Sequence, residues 1–224
     1  MKIKEITLYT NKLKAQKYFY QNTLGFDLIE ENEDAFSIQI GASKTTFQRS
    51  KKDYKYHYCF LIPSNKLDDA IKWISKKLDL IKIEGERVIQ RFDSWNAESV
   101  YFFDGDGSLA EFIVRYDLDN ATTEDNFDIN QIISFNEIGM TTRDVAKTNA
   151  ILEKQLNSSL WKGGLERFGV NGTQEGLFLL VNYELKKSWF PTQVPTQPSP
   201  FKGIFESEGK LFNLVFENEE IHLI

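Results

Sequence analysis

Tyr101–Arg115 reads YFFDGDGSLAEFIVR: an apolar strand, a turn dense in Asp and Gly, and a second apolar strand that carries a carboxylate, Glu111. Side chains alternate across a strand. Glu111 therefore shares a face with Leu109 and Ile113, while Ala110, Phe112 and Val114 take the other. An isolated carboxylate is costly to bury and needs a compensating partner. The turn between the strands is read as a tight hairpin. Its opening is also that of a calcium loop, but such a loop needs Gly at its sixth position and Glu at its twelfth. Counted from Asp104, those places hold Leu109 and Arg115.

The hairpin closes a unit that returns along the chain. EITLYTNKLKAQKYFYQNTLGFDLI from Glu5, HYCFLIPSNKLDDAIKWISKKLDLIKI from His57 and EIGMTTRDVAKTNAILEKQLNSSLW from Glu137 share one layout. A polar residue opens a short alternating strand, a turn follows, and then an amphipathic helix. Leu13, Phe19 and Phe26 frame the first helix, which ends near Gly25, a natural C-terminal cap. Ser64 or Asn65 is expected to cap the second, which carries Leu67, Ile71, Ile74 and Leu78; Thr142 or Asp144 is expected to cap the third, with Val145, Ile151, Leu152 and Leu156.

Strands FDLIEEN, AFSIQI and KTTFQRS follow the first helix, and RVIQRFD, ESVYFFD and SLAEFIV the second, so each unit is a βαβββ module. After the third helix, LERFGV and GLFLLVNY read as strands, WFPTQVPTQPSPF as a Pro-rich loop, and KLFNLVFEN and EEIHLI as the strands of a fourth module without its helix. The expected fold class is α+β: repeated βαβββ modules forming curved, partly open mixed sheets with helices packed outside. Residues 1–115 are expected to form an N-terminal domain of two modules. The polar stretch YDLDNATTEDNFDINQ is read as a linker over 116–130, and 131–224 as a degenerate C-terminal domain.

Composition narrows the function classes. The 224 residues are 41% hydrophobic and 27% charged, the range of a globular domain, and 18 Phe and 9 Tyr favour strands. A net charge of −6 does not suggest the phosphate-neutralising surface of a nucleic-acid partner. No apolar run approaches the roughly 20 residues that span a bilayer, so no membrane partner is expected. The start, MKIKEITLYT, lacks the apolar core of a secretory signal. The single cysteine, Cys59, excludes an intrachain disulfide, and a cytoplasmic location is the expectation.

The repeated module, TLYTNKLKAQKYFYQNTLGFDL and YFFDGDGSLAEFIV together resemble the vicinal oxygen chelate superfamily, which includes glyoxalase I, bleomycin-resistance proteins and extradiol dioxygenases. The usual family text, FxDPDGNxxEF, appears here as FFDGDGSLAEF, with Gly105 in place of Pro. The resemblance is good over 1–115 and weaker over 131–224. It implies divalent-metal ligands on the first and fourth strands of each module, which map to Glu5, Thr46, His57 and Glu111. Thr46 stands where glyoxalase-like members commonly have a carboxylate.

The resemblance thus implies Zn, Ni, Mn or Fe on Glu5, His57 and Glu111, with positions left open for neighbouring oxygens of a small-molecule substrate. It further implies glyoxalase-like lyase or isomerase chemistry through an enediolate-like intermediate, with Glu5 or Glu111 as catalytic base. Such an ion is the partner that Glu111 needs. Three alternatives stand beside this reading. One is a non-catalytic protein of bleomycin-resistance type that sequesters a small ligand among aromatic side chains. Another is an extradiol-type dioxygenase, which in the family uses two His and one carboxylate. The third is a scaffold that only associates with itself, for instance as a homodimer. Without a metal, Glu111 would accept hydrogen bonds from Tyr or Lys, and His57 would be structural. Glu137 is the third module's counterpart of Glu5, and His222 lies near the C-terminus, each without an evident partner set. Cys59 is read as a small packing residue. Trp189-Phe190-Pro191 is either an aromatic lid or an extended strand on the core, with the strand preferred.

Overall fold

A computed structural model describes residues 1–224. The first module comprises β1 (Lys2–Thr10), α1 (Leu13–Tyr18), β2 (Leu28–Glu31), β3 (Ala35–Ile40) and β4 (Ser43–Arg49). Its helix widens into a π-helical turn over Phe19–Leu24 and stops at Gly25, whose φ of 95° suits glycine. The second holds β5 (His57–Leu61), α2 (Leu67–Ile74), β6 (Gln90–Phe92), β7 (Ala97–Phe103) and β8 (Leu109–Arg115). The third holds β9 (Ser134–Thr142), α3 (Val145–Leu156), β10 (Leu160–Gly163), β11 (Phe168–Thr173) and β12 (Gly176–Asn182). A helix-free meander of β13 (Phe201–Ser207), β14 (Lys210–Glu217) and β15 (Glu220–Leu223) follows. No helix is long and apolar enough to cross a membrane.

Within each complete module the first strand runs parallel to the fourth, as β1 to β4, β5 to β8 and β9 to β12. The modules then join in a nested way. Sheet A has the order β15-β14-β13-β1-β4-β3-β2, and sheet B the order β10-β11-β12-β9-β5-β8-β7-β6. The first module therefore shares a sheet with the final meander, and the second with the third. The two modules grouped by sequence into residues 1–115 lie in different sheets, because β1 pairs with β13 and β5 with β9, each antiparallel.

Strand alternation decides what each face buries. Tyr58, Phe60, Ile62, Ala110, Phe112 and Val114 belong to a 40-residue core that also contains Ile6 and Leu8 of sheet A and Leu152 of α3. Burying a Phe or Leu in such a core contributes about 1.5–3 kcal/mol. The opposite face of sheet B carries separate apolar clusters around Leu109, Leu177, Leu179 and Trp189, and around Cys59, Leu61 and Ile113. Sheet B curls around that second face. Its outermost elements meet where Trp95, just past β6, contacts Trp161 of β10 with ring centroids 5.2 Å apart.

Several local expectations change. Neither Ser64 nor Asn65 caps α2; Lys66 holds that position with no side-chain cap bond, and its Nζ reaches the Asp125 carbonyl instead. Asp144 does cap α3, accepting from the Lys147 N–H at 2.8 Å. Strands β10 and β13 are additions to the expected set, and β6 is shorter than RVIQRFD.

Candidate metal centre

The inner face of sheet B gathers three ionisable side chains from three neighbouring strands. Central β5 pairs Cys59 with Glu111 of β8 on one side and with Glu137 of β9 on the other. Glu111, Cys59 and Glu137 thus lie abreast, and His57 stands two residues along the same face of β5. Because Cys59 is small, the flanking acids lean over it. One ligand atom each from His57, Glu111 and Glu137 lie within 4.8 Å of one another. All three residues are buried, Glu111 with only 3% of its surface exposed.

Glu5 does not join them. It belongs to sheet A, where it is exposed and lies across from Ile204 and Lys44. Unbroken strand alternation would put Glu5 on one face with Ile3. A bulge between Ile3 and Glu5 breaks that alternation, so Ile3, Ile6 and Leu8 all enter the core. Thr46, also on sheet A, exchanges a 2.8 Å hydrogen bond with Ser37. Glu137 supplies the second carboxylate. The sequence marked it as the counterpart of Glu5, and only the pairing of β5 with β9 gives it partners. By position within the module Glu137 corresponds to His57, and Leu179, paired two residues along at Gly139, corresponds to Glu111, paired at Cys59, so the fourth position is apolar and three protein ligands remain.

Electrostatics prepares the three groups differently. His57 Nδ1 lies 3.2 Å from the Leu109 carbonyl, which turns Nε2 toward Glu111 Oε2 at 3.4 Å. Burial, against that hydrogen bond, lowers the imidazole pKa to about 4 and keeps the ring neutral, the form in which histidine ligates. Burial and then the Glu137 carboxylate push Glu111 well above the usual carboxylate range. Burial also raises Glu137, but Arg115 pulls it back. Arg115 is fully buried, donates Nη2 to Glu137 and, through Nε, to Asn136 at 3.2 Å. Its guanidinium packs against both Trp95 and Trp161, 5.7 and 5.5 Å from their ring centroids. Cys59, raised well above its ordinary value by burial and then by the two acids, stays a thiol.

These donors fit a divalent ion. Two carboxylates and a neutral imidazole form a mixed O/N set for Zn, Mn, Fe or Ni, and the orienting bonds from Leu109 and Arg115 are of the kind that hold metal ligands in place. The centre opens on a cavity of about 120 Å³ walled by Phe92, Tyr101, Phe168, Leu179, Trp189 and Phe190, with Lys186 beside them. Trp189 covers the cup: 3% exposed, its ring centroid is 4.9 Å from that of His57. It rests on Gly139, where a Cβ would come 2.5 Å from the indole. The segment is neither a strand on the core nor a loose loop but a turn over the site, closed by the bond from Trp189 N–H to the Val194 carbonyl.

No protein-family model matches the sequence. A metallothiol transferase FosB from Staphylococcus haemolyticus is 28% identical over 116 residues, 49% of this chain and 80% of that relative. The structure of a putative dioxygenase from Bacillus subtilis subsp. subtilis str. 168 superposes with a TM-score of 0.62 at 16% identity, covering 98% of this chain and 83% of the other. At that identity the likeness is one of fold.

Proposed function

We propose that this chain, which carries the fold of the vicinal oxygen chelate superfamily, holds a divalent metal ion on His57, Glu111 and Glu137 and acts on a small oxygen-bearing molecule in the cup, in the manner of a glyoxalase-like lyase or isomerase. The observation that carries the reading is the convergence of three ligand atoms within 4.8 Å on the buried face of sheet B. The name of the staphylococcal relative, a metallothiol transferase, agrees with a metal at this centre.

When bound, such an ion supplies Lewis acidity to neighbouring substrate oxygens. The chain's own residues do the rest. His57 presents Nε2 because Nδ1 is engaged at Leu109. Arg115 anchors Glu137 in one orientation. Glu111 forms no ion pair with a lysine or arginine, whereas Glu137 is held by Arg115, so it is the carboxylate that, displaced from the ion, would take up and return a proton. Trp189 and Phe190 supply apolar wall to the cavity. Glu5, on the other sheet, has no part in the centre. A second reading, binding without turnover, draws on the aromatic walls. The extradiol reading loses support, because one His and two carboxylates differ from the family's two His and one carboxylate.

The test is metal content after purification without chelators. About one equivalent is expected in the wild type and in Glu5→Ala, and less than about a tenth of that in Glu111→Ala and Glu137→Ala. Equal content in all four proteins would falsify the centre.

A further inference from the structure

One charged group of the cavity has no role in holding a metal. Lys186 lines the cup and is half-buried. Its Nζ donates to the Ser188 carbonyl at 2.5 Å and lies 5.3 Å from the Trp189 ring centroid. It forms no ion pair, whereas Glu137 has Arg115 and Glu111 Oε2 has the neutral His57 ring at 3.4 Å. Its backbone is anchored: the Lys186 N–H donates to the Asn182 carbonyl at 2.9 Å, and the Lys186 carbonyl accepts from the Thr196 hydroxyl. Burial and then nearby Arg167 lower its pKa to about 8. An ammonium facing an apolar cavity without a counter-ion is unfavourable, and an anion arriving there relieves that cost.

Charge balance adds a second argument. A divalent ion would offset the two carboxylates, and Arg115 stays paired with Glu137, leaving Lys186 as the one cation of the cavity lining without a partner. Flat walls from Phe92, Tyr101, Phe168, Trp189 and Phe190 suit a planar body. We infer that the cup takes a small planar anion, an aromatic carboxylate in chemical class, whose negative group pairs with Lys186, making Lys186 a specificity-determining residue. This rests on the reading of the cup as a ligand-binding metal site, although the contact with Lys186 itself needs no ion.

The experiment is isothermal titration of the full chain, metal-free and Mn²⁺-loaded, with salicylate and with its uncharged analogue salicylamide. Salicylate is expected to bind about tenfold or more tightly than salicylamide. Lys186→Met should weaken salicylate by about tenfold and leave salicylamide within about twofold, while Lys186→Arg restores most of the salicylate affinity. Melting curves of both variants report whether the fold is kept. No salicylate binding, an affinity unmoved by Lys186→Met, or an equal loss for both ligands overturns the inference. Failure to take up Mn²⁺ while salicylate binding still depends on Lys186 sinks the metal reading and leaves this one standing.

Discussion

Two carboxylates lean toward each other over Cys59, and Arg115 is the cation paired with one of them. Removing that guanidinium leaves Glu137 buried and unpaired, so Arg115→Met should cost the metal-free protein about 3–5 kcal/mol in urea unfolding. The loss should shrink once a divalent ion is added, and wild-type stability in the variant would mean that the ion pair carries nothing. His57 gives a pH signature. Its folded pKa is about 4 against 6.5 for the free side chain, so between those values the unfolded chain binds more protons. Stability contributed by the neutral ring is full above about pH 6.5 and is lost as the pH falls toward 4. In the metal-free protein, His57→Gln should reduce the pH 7-to-4 loss of stability by on the order of 3 kcal/mol; parallel pH profiles would refute the assignment. Glu111 was legible in the sequence because a carboxylate in an apolar strand needs a partner. Glu137 was visible only as a counterpart of Glu5, since nothing local states which strand lies beside β9.

Elements were legible where periodicity and end signals agreed. The Asp144 cap of α3 is such a case, and Asp144→Ala should lower stability by about 1 kcal/mol in thermal melts. β13 was hidden by Pro195, Pro198 and Pro200 before it, and its register depends on Gly203, where a Cβ would lie 2.2 Å from the Glu5 carbonyl oxygen. Close backbone approach of that kind leaves no periodic trace. The turn that carries Trp189 was ambiguous for a similar reason: its seat, Gly139, is an absence of side chain on a strand some fifty residues earlier. A methyl group there has no space. Gly139→Ala should lift the turn, shift the tryptophan emission to the red and speed proteolysis within residues 186–197. An unchanged spectrum and unchanged digestion would show that the indole is not held by that contact.

At the scale of the whole molecule, module content was readable and module pairing was not, because repeats alone do not say which copy meets which. The nested order brings His57 and Glu111, from the second module, together with Glu137, from the third. Fragments 1–115 and 116–224, made separately, should each remain poorly folded, with one edge of each module's first strand left bare. Co-expressed, they should form a one-to-one complex that alone binds metal; a monomeric, cooperatively melting 1–115 fragment would contradict this pairing. The same nesting sets an order of assembly during synthesis, which proceeds from the N-terminus. Every strand of sheet B has left the ribosome once Asn182 emerges, whereas β1, made first, waits with one edge bare until Phe201–Ser207 follow. The cup of sheet B is therefore the earlier to mature, and the oldest strand in the chain is among the last to gain its second neighbour. Protease digestion of chains stalled beyond residue 182 should find sheet B protected and the N-terminal strand still open to cleavage.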